Sequence, residues 1–201
     1  MWSAFNWHST SVAEPALPGQ AETEGLSSKL EFRVGDAAGL GELQGQFDAA
    51  IAHTLLSHVD DSLCVLQEIA ACVRPGGHIA IFDGDYASWV FAGDNADAGR
   101  KLADAVIGGM ITNPNIMREF PRLVHQADLQ IVFTKAYVLS EIGTASFFAS
   151  SMSTYHVLLP LAGHRDAASV NQLVEIQRQN IADGSFFGAI NFYTYLLRRP
   201  S

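Results

Sequence analysis

"LEFRVGDAAGLGELQGQFDAAIAHTLLSHVDD", residues 30–61, holds two kinds of strand separated by a turn. In its first five residues Leu30, Phe32 and Val34 alternate with Glu31 and Arg33, the period of a strand with one wet face or an edge position. "FDAAIAH" (47–53) is instead almost continuously apolar, as is "HIAIF" (78–82), and strands covered on both faces of a parallel sheet read that way. Between these two runs the spacing predicts a helix over 60–73. Asp60 and Asp61 offer an N-cap and favourable charge at its start. Leu63, Leu66, Ile69, Ala70 and Val73 fall on one face, and Pro75 with Gly76 and Gly77 stops the helix and turns the chain. The unit is a right-handed parallel strand–helix–strand, and it sets the fold class as α/β.

The signals continue downstream. A helix is predicted over 100–110, a short one near 121–128, a strand near 130–139, and a helix opened by Asp166 and closed by Gly184. The tail "FFGAINFYTYLLRR" reads as a strand and gives a mostly parallel sheet an antiparallel C-terminal edge. Upstream, Pro15 and Pro18 interrupt any helix, so residues 1–29 form a poorly specified segment ahead of a domain over 30–201.

Composition narrows the function. Of 201 residues, 48% are hydrophobic and 16% charged, which is neither a disordered nor a coiled-coil balance. A net charge of -9 argues against a nucleic-acid partner, whose phosphates are met by Lys and Arg, and no basic run marks a membrane surface. The start, "MWSAFNWHST", lacks the basic and apolar regions of a signal peptide, and no apolar run approaches the ~20 residues of a spanning helix. Cys64 and Cys72, about two helical turns apart, cannot bridge and read as buried thiols. The expectation is a cytoplasmic protein.

Ligands of open α/β sheets sit beyond the carboxyl ends of the strands. That rule marks "GDA" (35–37), "HTLLSH" (53–58) and "DGDY" (83–86). Asp36 is a candidate reader of an exocyclic amine, with Gly35 leaving room for a base; the same pair is also an ordinary turn. His53 and His58 flank an apolar segment and serve either as structural residues or as a base. With Asp83 and Asp85 they match no tight ligand spacing, so no metal is expected. No G-x-S-x-G elbow, Walker loop or H-E-x-x-H occurs.

In combination, "LEFRVGDAAGL", "GQFDAAIAHTLLSHVDD", "VLQEIAACVRPGGHIAIFDGDYAS", "NPNIMREFPRLVHQADL" and "GSFFGAINFYTYLLRRP" resemble, in order, the later motifs of class I S-adenosylmethionine-dependent methyltransferases. The nearest group is the ubiquinone/menaquinone-biosynthesis-like type 11 enzymes, and the resemblance covers roughly residues 25–201. It implies a Rossmann-like sheet and S-adenosyl-L-methionine as cofactor. Gly35, Asp36 and Ala37 would meet the adenine, and His53, Thr54 and Leu55 the methionine part. Asp83, Asp85 and Tyr86, just past the next strand, would face the methyl acceptor. His58 or His53 would act as base.

The same resemblance implies an early strand with an acidic-x-G-x-G-x-G loop and a carboxylate after the second strand, and neither is in this sequence. A sheet without that strand leaves 47–53 as an unpaired apolar edge. The expected remedies are direct pairing of 30–34 with 47–53, a homo-oligomer or partner chain completing the sheet, or a sequence truncated at its start. The functional expectation is a methyltransferase acting on a small-molecule acceptor, or its C-terminal portion, with a non-catalytic scaffold subunit as the alternative. Residues 86–120 and 140–165 are expected to cover the acceptor side, carrying Tyr86, Met117, Tyr155 and His156.

Overall fold

The structure, a computed structural model, describes residues 2–6, 22–93, 96–152 and 167–201. Trp2–Asn6 (β1) and Leu30–Val34 (β2) pair in parallel as a two-stranded sheet. A separate four-stranded sheet is built from Phe47–His53 (β3), Val73–Phe91 (β4), Gln130–Gly143 (β5) and Phe186–Arg198 (β6), in the order β3-β4-β6-β5. β3 and β4 are parallel, Ala49 opposite His78 through His53 opposite Phe82. β6 runs antiparallel to both of its neighbours, as the tail's pattern predicts.

Helix α1 (Ser62–Cys72) makes the β3–β4 crossover. Asp61 caps it by accepting from the Cys64 N–H at 2.9 Å. At the other end the Arg199 guanidinium donates to the carbonyls of Ala70 and Ala71, each at 3.0 Å, and to that of Val73, so acceptors the helix cannot satisfy itself are met. Gly77 follows because nothing larger fits: a Cβ there would lie 2.5 Å from Val73 Cγ1 and 2.6 Å from the Asp48 carbonyl.

Helices α2 (Ala96–Met110), α3 (Ile116–Gln126) and α4 (Ala167–Asp183) also flank the sheet. The period of two along the strands sorts them by face. Ile79, Ile81, Tyr195 and Leu197 share one buried cluster with α1 and α3. Ile190 and Phe192, of opposite parity, share another with α2 and α4. The second cluster is aromatic, with Trp89, Phe91, Phe148 and Phe186 in mutual ring contact.

Several expectations are corrected. The strand predicted over 78–82 extends from Val73 to Phe91, so Asp83, Asp85 and Tyr86 lie within it and not beyond its end. Polar and glycine residues there read as a loop, yet Asp83, Gly84 and Asp85 pair with β6. The helix predicted near 121–128 begins at Ile116 and carries Pro121 inside. The proline leaves the Met117 carbonyl without its helical donor, and the Tyr195 hydroxyl donates to it at 3.4 Å. β3, read as covered on both faces, is covered on one: Ala52 is buried in the cluster with α1, whereas Ile51, on the opposite face, is 76% exposed. Of the two cysteines Cys72 is buried, its thiol pushed up by burial and by Glu68, whereas Cys64 is half-buried. Met117, expected at the acceptor side, is a core residue. Among the described residues no helix is long and apolar enough to cross a membrane.

Candidate functional site at the carboxyl ends of the strands

The exit of β2 carries Gly35, Asp36 and Ala37. Asp36 is exposed, and its Oδ1 accepts from the Ala38 N–H at 2.9 Å while its carbonyl accepts from Gly39 N–H at 3.0 Å. The turn is therefore real, and it presents the carboxylate to solvent without consuming Oδ2 in that bond. Ala37 anchors the loop in the core, and the Leu40 N–H, donating to Glu68 at 2.8 Å, ties it to α1.

The exit of β3 is held more tightly. The Thr54 N–H donates to the Phe82 carbonyl at 2.7 Å, continuing the β3–β4 contact one residue past the strand. Thr54 does this at φ 47°, a left-handed conformation that is costly for a β-branched residue. His53 is exposed, stacks on Phe82 with centroids 4.8 Å apart, and has Nδ1 3.2 Å from Thr54 Oγ1. Leu55 is half-buried, and His58 is exposed, edge-on to Tyr86 with centroids 6.0 Å apart.

What fixes this loop is a residue that sequence reasoning passed over. Ser57, fully buried, donates from its N–H at 3.0 Å and its hydroxyl at 2.8 Å to the two carboxylate oxygens of Asp83, which also accepts from the Gly84 N–H at 2.8 Å. Burial raises the Asp83 pKa above the usual carboxylate range, against the opposing pull of these donors and of His58. Tyr86 beside it is pushed up to about 12, first by burial and then by Asp83, with the Ser57 side chain partly offsetting both. Tyr86 therefore stays protonated at neutral pH.

One turn of strand further on, the buried Asp85 carboxylate meets Arg118 Nε at 2.9 and 3.0 Å, a second residue not anticipated. The pairing of β4 with β6 shifts register after Asp85, and Ser88 bridges the break: its hydroxyl donates to the Asp85 carbonyl at 2.6 Å and accepts from Asn191 N–H at 2.9 Å. Irregularities of this kind are common beside active sites. The only signal for Ser57 was its place inside "HTLLSH"; nothing in its spacing shows that it meets Asp83 on the next strand.

The structure thus brings His53, Thr54, Leu55 and His58, at and just past the end of β3, beside Asp85 and Tyr86 within β4. Asp36 stands at the end of β2, in the other sheet. Tyr155 and His156 lie outside the described residues. Among the described residues no group of three or more His, Cys, Asp or Glu side chains is placed to hold a metal. A recess between Gln67, Asp128 and Arg199 lies at the opposite end of the sheet, where Arg198 pairs with His78, away from these groups.

Comparison with known proteins gives this arrangement a setting. A family model for a methyltransferase domain, type 11, matches residues 9–81. Methyltransferase GfsG of Streptomyces halstedii is 28% identical over 156 residues, covering 74% of this chain and 51% of that protein. An uncharacterized 37.1 kDa protein in transposon TN4556 of Streptomyces fradiae is 25% identical over 175 residues, covering 85% and 48%. The chain spans about half the length of these curated relatives. Among solved structures, a candidate methyltransferase from Bacillus halodurans superposes with a TM-score of 0.59 at 12% identity, covering 99% of this chain and 83% of that one. A candidate sarcosine dimethylglycine methyltransferase from Galdieria sulphuraria gives 0.53 at 14% identity, covering 98% and 69%. These likenesses are of fold.

Proposed function

Because this chain carries the family signature and the fold of class I S-adenosylmethionine-dependent methyltransferases of the type 11 group, we propose that it takes part in methyl transfer to a small-molecule acceptor. The observation that carries the reading is Thr54, held at φ 47° at the exit of β3 by the Phe82 carbonyl and by the Ser57–Asp83 anchor just beyond it. Strain of this kind persists only where its surroundings enforce it, and it clusters at ligand sites.

The described residues fit one side of S-adenosyl-L-methionine. Gly35 offers no side chain, the exposed Asp36 carboxylate can accept from the adenine amine, and Ala37 packs beneath. Thr54 and Leu55, with His53, would lie along the amino-acid part. When bound, the cofactor supplies an electrophilic methyl group on a sulfonium. The chain's own work is then positioning and proton handling. Asp85, oriented by Arg118, and Tyr86, kept protonated, would orient the acceptor, and His58 at the edge of Tyr86 would take its proton.

The other side of the cofactor finds fewer partners: the sequence holds no acidic-x-G-x-G-x-G loop, and among the described residues no strand flanks the outer edge of β3 to bring backbone donors. Lost hydrogen bonds cost ~1–3 kcal/mol each. Three of them would weaken binding about a thousandfold. Calorimetric titration of the chain and of Asp36→Ala with S-adenosyl-L-methionine tests this. Binding in the high-micromolar to millimolar range, weakened further by Asp36→Ala, is expected. Low-micromolar binding abolished by Asp36→Ala would mean that the chain alone holds a complete site. Binding that ignores Asp36, or none at millimolar cofactor, overturns the assignment.

A further inference from the structure

We propose that Asn113 is a positioning residue of the candidate site, holding His58 at the edge of Tyr86 by hydrogen bonds to the backbone on either side of it. The proposal takes His58 as the base from the reading above, and adds the group that fixes where that base stands.

The segment between β3 and α1 is irregular, and the carbonyls of such a loop ordinarily turn to water. Here each carbonyl from Leu55 to Val59 has a donor from the protein. Leu55 accepts from the His58 N–H at 3.0 Å and Leu56 from the Ser62 hydroxyl at 2.9 Å. The rest are met from the short stretch between α2 and α3. The Asn113 N–H donates to the Ser57 carbonyl at 2.9 Å, the Thr112 hydroxyl to that of His58 at 3.4 Å, and Asn113 Nδ2 to that of Val59. Nδ2 also lies 3.2 Å from the Ser62 hydroxyl oxygen, the same group that serves Leu56. Asn113 therefore spans His58, bonded to the residue before it and to the residue after it.

The same stretch holds the other member of the ring pair. The Ala87 N–H, next to Tyr86, donates to the Pro114 carbonyl at 3.1 Å. His58 and Tyr86, with centroids 6.0 Å apart, are thus tied to one support. Pro114 confines Asn113 to extended backbone, and the Asn113 carbonyl accepts from Ile116 N–H at 3.2 Å, which joins the support to α3. Asparagine suits the place because it carries donors on a short stem; aspartate has the same shape and, when ionised, no donor. His58 itself is exposed, so burial does not hold its ring, and the bonds along its backbone do. A base must stand within hydrogen-bond reach of the proton it takes, and an ångström of drift is enough to slow a reaction about a hundredfold.

The test uses the full chain without cofactor or acceptor, so it holds or fails apart from the calorimetric test of cofactor binding. Proton NMR, with the His58 signals assigned by their loss in His58→Gln, reads the nuclear Overhauser contact between the His58 and Tyr86 rings. Amide hydrogen exchange is followed at His58 and, as a reference for the sheet, at Ile81 in β4. Asn113→Asp keeps the shape and the backbone bond but not the side-chain donor; Asn113→Ala removes the donor without adding charge. Both are expected to lose the ring contact and to speed His58 exchange about tenfold, the size of one lost hydrogen bond, with Ile81 unchanged. Asn115→Asp, which brings the same charge to a side chain that makes no cap bond, should change neither readout. Survival of the ring contact in either Asn113 variant overturns the proposal, because the donor is then not what holds His58. Faster exchange at Ile81 in step with His58 overturns it as well, since that marks general destabilisation, and so does absence of the ring contact in the parent chain.

Discussion

Asp83 shows what a single residue can reveal that its sequence neighbours do not. Its carboxylate accepts from Ser57 N–H, the Ser57 hydroxyl and Gly84 N–H while excluded from solvent. Asp83→Ala leaves those donors buried without an acceptor, at ~1–3 kcal/mol each before relaxation, so urea denaturation should show a loss of about 3 kcal/mol. The sign of the pH effect follows from the raised pKa. The folded state holds the Asp83 proton to higher pH than the unfolded state, whose group titrates near 3.8. The resulting stabilisation is fully present below that value and disappears as pH rises through the folded pKa. Against Asp83→Asn, which cannot titrate, the protein should lose relative stability as pH climbs above about 4; parallel stability curves between pH 4 and 7 would remove burial as the dominant cause. At this scale the sequence was partly legible. Gly35-Asp36 announced its turn and its place, and "DGDY" marked the right strand. Ser57 and Arg118 stayed hidden because their roles depend on partners 26 and 33 residues away.

Elements were legible where periodicity and punctuation agreed. α1 has its cap at Asp61 and lies between the strands that its flanking apolar runs predict. Legibility failed where tertiary pairing overrode local signal: β4 continues through Asp83, Gly84 and Asp85 because β6 supplies a partner for each. Gly77 tests how firmly the crossover is set. The Asp48 carbonyl that its Cβ would meet at 2.6 Å belongs to β3, so it cannot retreat without disturbing the parallel pair. Gly77→Ala should cost about 1–3 kcal/mol in urea denaturation, the range for overpacking. Gly76→Ala, with φ +80° but only Ser201 Oγ near its Cβ at 3.8 Å, should cost about 1 kcal/mol through backbone conformation alone. Equal losses for the two variants would show that the contact with β3 is not what requires glycine at 77.

Across the whole molecule, the outer edge of β3 has no flanking strand among the described residues, and half of the acceptor cover expected near 140–165 falls outside them. An open sheet edge invites association, and this fold has a second one at β5, where Val138 is 70% and Ile142 71% exposed. The two edges differ in protection. β5 carries Lys135 and Glu141 within its run, and charges along an edge oppose pairing with another chain. The acid in β3, Asp48, is already engaged by Arg74 and lies at the strand's start. Association should therefore proceed through β3. In sedimentation velocity, Ile51→Lys is expected to suppress concentration-dependent oligomers and Val138→Lys to leave most of them. Both melting temperatures should stay within about 2 °C of the parent, because exposed substitutions seldom cost more than ~0.5 kcal/mol. Suppression by Val138→Lys alone would move the vulnerable edge to β5. It would also mean that β3, despite its unpaired backbone, is shielded in solution.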